Sequence, residues 1–156
     1  MAFTAEDLIS KVQNRLTLKE QLGVHPTRRN ALVWGTYDGL KVGEWLLLNG
    51  VTAYIPNLCL LLMNTERPLA QILAEINNEL DEEAKIPLGL FKKSAYRTGK
   101  FGPADYIEGM EMGYHYTLHL YLAYLGYATK KEAIRFALKR IPAFQHQLEN
   151  LEVYFV

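Results

Sequence analysis

The chain holds a single cysteine, Cys59, so no disulfide can form within it and its core must hold without covalent staples. That thiol lies in the run NLCLLLM, where a sulfhydryl behaves as a small hydrophobe. No neighbouring charge would bring it into the reactive range. A surplus of either charge is missing too, since 17 basic residues balance 17 acidic ones. Proteins that grip nucleic acid by its phosphates usually carry a basic excess, which sets that class at a disadvantage. Nor does any apolar run reach the roughly 20 residues of a membrane-spanning helix. The nearest approach, residues 45–63, is interrupted by Asn49, Gly50, Thr52, Pro56 and Asn57. It reads as two short buried segments. The opening residues MAFTAEDLISK carry acids at positions 6 and 7 and no apolar centre, unlike a secretory signal. A soluble, cytoplasmic protein is the expectation, and a reducing compartment suits the lone thiol.

The usual signatures of catalysis are absent as well. There is no Walker loop, no dinucleotide fingerprint, no serine nucleophile elbow and no CxxC pair.

What is present is a globular composition, 49% apolar and 22% charged over 156 residues. That length suits one domain, 1–156, with a core of its own. Thr4 followed by Asp7 forms a capping box. Leu8, Ile9, Val12, Leu16 and then Leu22 recur at helical spacing, which predicts a helix from 5 to about 21 closed by Gly23 and Pro26. HPTRRN reads as a turn carrying two arginines. Leu69, Ile72, Leu73, Ile76 and Leu80 predict an apolar helix face, with Glu75, Glu79, Glu82 and Glu83 off it, before Pro87 and Gly89 stop the helix. Residues 87–103 read as a long loop. Pro103 suits the first turn of a helix over 103–127. Thr129 and Glu132 box the start of a last helix, which Pro142 should kink or end.

Residues 30–50 admit two readings. Asp38-Gly39 between apolar runs is a hairpin signal. Yet Gly35, Gly39 and Gly43 recur at i, i+4, i+8 and would line one ridge of a helix, where another helix can approach closely. Helix is the preferred reading, continuous or with a break near Gly39, and a small hairpin at 31–46 is the alternative. The expected fold is all-α, five or six helices packed as a bundle or orthogonally.

The segment EGMEMGYHYTLHLYLAY carries the main chemical candidates. On a helix, Glu108, Glu111, His115 and His119 fall within an arc of roughly 80°. The rest of the circumference is largely apolar, so this helix should be central. Carboxylates and imidazoles at such spacing can converge on a metal, as in helical bundles, and Glu79 and Glu82 could supply ligands from a neighbouring helix. Magnesium or manganese is the first choice of cation. Zinc on Glu111, His115 and His119 is second. The zincin motif is absent because Tyr116 follows His115. The alternative is a solvated edge whose acids and histidines pair among themselves.

The spacing Glu79-x-x-Glu82 followed by Glu108-x-x-Glu111 resembles the all-helical nucleoside triphosphate pyrophosphohydrolases, in which an ExxE pair and a later ExxD pair hold magnesium around a pyrophosphate. The resemblance covers about 45 residues. Glu111 stands where that family has Asp, and His115 and His119 lie outside its pattern, so it does not amount to family membership. It implies a metal-bound water as nucleophile. Lys92, Lys93, Arg97 and Lys100 would neutralise phosphate from the loop between the acidic pairs. That loop, with Phe91, Tyr96 and Phe101 interleaved, could also hold single-stranded nucleic acid.

Ten tyrosines include Tyr106, Tyr114, Tyr116, Tyr121, Tyr124 and Tyr127, all within the candidate helix and its end. Such amphipathic rings suit a protein interface or a tyrosine-rich core. His25 and His146 read as turn or surface residues. The leading functional expectation is a small interaction or assembly protein without catalysis, a profile shared by helical accessory proteins, those of phages among them. It would act on a protein partner or as a homo-oligomer through its tyrosine-rich helices. A divalent-metal-dependent nucleotide hydrolase is the alternative, and phosphate or nucleic-acid binding through residues 92–101 the third reading.

Overall fold

The computed structural model describes residues 4–24, 26–49, 67–79, 85–92, 94–98 and 103–151. The expectations for Cys59, Leu80, Glu82, Glu83, Lys93, Lys100 and His25, and for a buried segment at 56–64, lie outside them. Among the described residues the fold is all-α. Six helices run in the order α1 (Ala5–Gln21), α2 (Pro26–Leu48), α3 (Leu69–Asn77), α4 (Ala95–Thr98), α5 (Pro103–Leu125) and α6 (Lys130–Glu149). None is long and apolar enough to cross a membrane.

Both capping boxes form. Thr4 accepts from the Asp7 backbone and Asp7 from the Thr4 backbone, and Thr129 and Glu132 do the same at α6. Gly23 ends α1 at φ 74, a left-handed conformation that glycine adopts without a Cβ penalty. Leu8, Ile9, Val12 and Leu16 are buried as their spacing predicts. Leu22 is not part of that face and is 72% exposed; Lys19 is buried in its place.

Residues 26–48 form one helix, the preferred reading, without a break at Gly39 and not the alternative hairpin at 31–46. The Asp-Gly pair has other uses here. Asp38 is fully buried and accepts a 2.7 Å hydrogen bond from the Tyr106 hydroxyl, while Gly39 makes room for α5. A Cβ at Gly35 would overlap the carbonyl of Tyr106, one at Gly39 the carbonyl of Met110, and one at Gly43 the Thr117 side chain. The relation is mutual, because Cβ atoms at Gly109 and Gly113 would strike the carbonyls of Leu32 and Thr36. Two ridges with the same i, i+4, i+8 spacing therefore lie in van der Waals contact. Their numbering rises together, so α2 and α5 run parallel. Thr36 and Thr117 are buried in this seam because each hydroxyl bonds the carbonyl four residues back, at 2.8 and 3.0 Å.

The seam separates two apolar cores. On one side Leu8, Val12 and Leu16 of α1 and Ala137, Ile141, Phe144 and Leu148 of α6 pack against Leu32, Leu40, Leu120 and Tyr124. On the other, Ile72, Leu73 and Ile76 of α3 meet Val42, Leu46, Tyr106, Met110 and Tyr114. Each of the larger fully buried side chains contributes about 1.5–3 kcal/mol. Asn77, the last residue of α3, makes a reciprocal pair of hydrogen bonds with the Ile86 backbone, at 2.8 and 3.1 Å.

One further expectation needs correction and another is narrowed. The region 87–103 is not featureless loop, since it contains a 3-10 turn at Leu88–Leu90 and the short α4. Of the two outcomes expected at Pro142, a kink or an end, the helix does not end there: α6 continues to Glu149. The proline lies on the exposed side, where water can serve a carbonyl deprived of its helix donor.

Candidate functional site

On α5 the polar stripe lies opposite the glycine ridge, so tight packing against α2 turns it outward along α1. The salt links Arg15–Glu108 and Lys19–Asp105, together with Tyr116 bonding Asp7, set α1 antiparallel to α5.

Glu108 is engaged in this contact. Arg15 donates through Nε to Glu108 Oε1 at 2.7 Å, and its Nη2 lies 2.7 Å from the same oxygen. Lys19 Nζ lies 3.0 Å from Oε2 of the same carboxylate. Lys19 also reaches Asp105 Oδ1 at 2.6 Å, and Arg28 holds Asp105 Oδ2 at 2.7 Å. Three cations from α1 and α2 thus surround two carboxylates of α5, with the Lys19 and Asp105 side chains only 9% and 3% exposed. At that burial an ion pair is sustained only because every charge has a close partner.

Asp105 was not among the sequence candidates. It stands one turn before Glu108, and Arg15 and Lys19 are spaced i, i+4 on α1. The two spacings become a signal only once α1 is known to lie against α5.

Glu111, His115 and His119 are exposed. With Lys11, Met112, Tyr116 and Glu108 they line a hollow of about 230 Å³ between α1 and α5. The Lys11 ammonium sits 5.8 Å from the centre of the Tyr116 ring. Glu79 is exposed beyond the end of α3, and neighbouring Glu75 is held by both guanidinium nitrogens of Arg67. That bond lowers the Glu75 pKa. Among the described residues, no three His, Cys, Asp or Glu side chains converge as a cation site. The structure thus brings Glu108, Glu111, His115 and His119 together along one groove and does not join Glu79 to them.

The proposed phosphate cations divide. Lys92 is exposed. Arg97 is 1% exposed and donates to the Arg67 carbonyl at 2.8 Å. Burial lowers its pKa, offset in part by Tyr106. An arginine so placed supports the segment carrying Arg67 rather than meeting a ligand in solvent.

The tyrosines of α5 are mostly core residues. Tyr106, Tyr114, Tyr121 and Tyr124 are 5% exposed or less. Burial, the Asp38 charge and the hydrogen bond to Asp38 together push the Tyr106 hydroxyl far above its ordinary range. Tyr124 packs edge-on against Phe136 and Tyr127. What faces outward at this end is Leu122 at 57%, Leu125 at 38% and Tyr127 at 63% exposure.

Comparisons of the chain with protein-family models, with curated proteins and with solved structures find no match.

Proposed function

We propose that this protein is a non-catalytic helical interaction module that docks a protein partner or a second copy of itself through the C-terminal end of α5. The observation that carries this reading is the exposure of Leu122 and Leu125 in the last turn of α5 and of Tyr127 just beyond it. Large apolar side chains held together in solvent are costly, and where they gather they commonly mark an interaction surface. A second consideration points the same way. Glu108, on which a two-carboxylate hydrolase would depend, is occupied by Arg15 and Lys19.

The test joins assembly and activity. Light scattering across a concentration series should show self-association, or a stoichiometric partner should co-purify from the native cell. Replacing Leu122 and Leu125 together by Glu should abolish either while leaving the circular dichroism spectrum unchanged. A monomer at every concentration that retains no partner would overturn the reading. So would magnesium-dependent hydrolysis of nucleoside triphosphates that Glu111→Gln eliminates.

A further inference from the structure

We propose that the outer side of α6 and the end of α5 together form a docking surface for an acidic amphipathic helix of a partner protein. This deepens the interaction reading, on which it rests, by naming the partner's chemistry. The chain as a whole is electrically neutral, yet α6 is not. It carries Lys130, Lys131, Arg135, Lys139 and Arg140 against Glu132 and Glu149, and Glu132 is committed to the capping box. Lys131, Arg135 and Lys139 recur at i, i+4 and i+8, within an arc of roughly 80°. All three are exposed, as is Lys130 beside them. Among the described residues none of these four cations takes part in a salt bridge. Lys130 and Lys131 stand in the first turn of α6, where the helix dipole disfavours a cation, so helix stability does not account for them.

The basic stripe is continuous with the apolar patch. The Arg135 guanidinium lies 5.6 Å from the centre of the Phe136 ring. That ring is 5.4 Å from Tyr124, and Tyr124 is 5.5 Å from the exposed Tyr127. A helix with apolar residues along one edge and acids along the next would meet both parts at once. The extent of the stripe selects among anions. Lys131 to Lys139 spans about 12 Å of helix axis, and the exposed Glu149 follows on the same arc at the far end. A long polyanion or a flat anionic membrane would reach over that acid, and each is held best by a basic surplus that this chain lacks. A short acidic segment avoids it.

Fluorescence anisotropy with the full chain tests this. The labelled probes are a synthetic helical peptide with Leu along one face and Glu flanking it, the same peptide with Lys for each Glu, and oligo(dT); phosphatidylserine vesicles are assayed by sedimentation. The Glu peptide should bind about tenfold or more tighter than the Lys peptide, and weaken as salt rises from about 50 to 300 mM. Lys131→Glu, Arg135→Glu and Lys139→Glu combined should weaken it about tenfold or more. All three residues are exposed, so the circular dichroism spectrum should be unchanged. No binding of the Glu peptide, equal binding of the two peptides or an unaffected charge-reversed variant would overturn the proposal. So would tighter binding of oligo(dT) or of the vesicles. If charge reversal is silent while Leu122→Glu with Leu125→Glu still abolishes association, the acidic partner falls and the interaction reading stands. If neither change matters, both fall.

Discussion

The carbonyl oxygen of Met110 occupies the space that a side chain at Gly39 would need. Gly39→Ala should gain about 1 kcal/mol in helix propensity yet lose more by forcing backbone against backbone. A net destabilisation of about 2 kcal/mol or more is expected in urea unfolding. Gly89→Ala is the control, because nothing lies within 4 Å of its would-be Cβ; it should stay within about 0.5 kcal/mol of the wild type.

Lys19 is the shared cation of Asp105 and Glu108. Lys19→Met keeps most of the apolar stem but leaves the buried Asp105 to Arg28 alone. A loss of about 3 kcal/mol is expected, as when one partner of a buried pair is removed. Arg28 has a 41% exposed side chain, and Arg28→Ala should cost about 1 kcal/mol or less. Equal effects from both substitutions in urea melts would show that burial does not set the strength of this network.

Tyr106 ties protonation to folding. Its pKa is raised above the ordinary 10.0 by burial and by Asp38. Above pH 10 the unfolded chain releases this proton while the folded chain keeps it. The unfolded state then binds fewer protons, and stability falls as pH rises. This one group contributes up to about 1.4 kcal/mol per pH unit. Tyr106→Phe should cost about 1–3 kcal/mol at neutral pH, because Asp38 loses a buried donor. Between pH 10 and 11 the variant should show a shallower decline than the wild type in denaturant midpoints.

Pro142 offers the opposite sign. It sits inside α6 on the exposed side, where its ring removes a helix donor without filling the core. Pro142→Ala should stabilise the protein by about 1–3 kcal/mol, read as a higher midpoint with an unchanged slope in urea. A lower midpoint would mean that α6 depends on the backbone shape proline imposes there.

Local signals in the sequence carried through where the physics is local. Both capping boxes, the apolar spacing of α1 and the start of α5 at Pro103 depend on residues a few positions apart. The ridge of Gly35, Gly39 and Gly43 was legible as well. Its counterpart, Gly109, Gly113 and Thr117, has the same spacing but was hidden among the acids and tyrosines around it. Asp38-Gly39 misled because a pair that favours a turn can also offer a buried acceptor and a gap for a neighbouring helix. The fate of Glu108 was out of reach, since its partners Arg15 and Lys19 become neighbours only through tertiary packing. The same holds for Arg97, which reads in the sequence as a phosphate-binding cation and instead lies 1% exposed against the Arg67 carbonyl.

The parallel seam also governs how the chain can fold. Two parallel helices cannot be joined by a tight turn, and the Tyr106–Asp38 bond links residues 68 positions apart. The close packing of α2 on α5 must therefore await closure of a long intervening segment, whose entropy is lost before the contact repays it. Local helix pairs such as α5 and α6 can form early, joined by only a few residues. Contacts so distant in sequence slow folding, so refolding should be slower than that of a bundle whose neighbours are consecutive. Stability gained in the seam would appear mainly as slower unfolding if the rate-limiting barrier is crossed before α2 and α5 interlock.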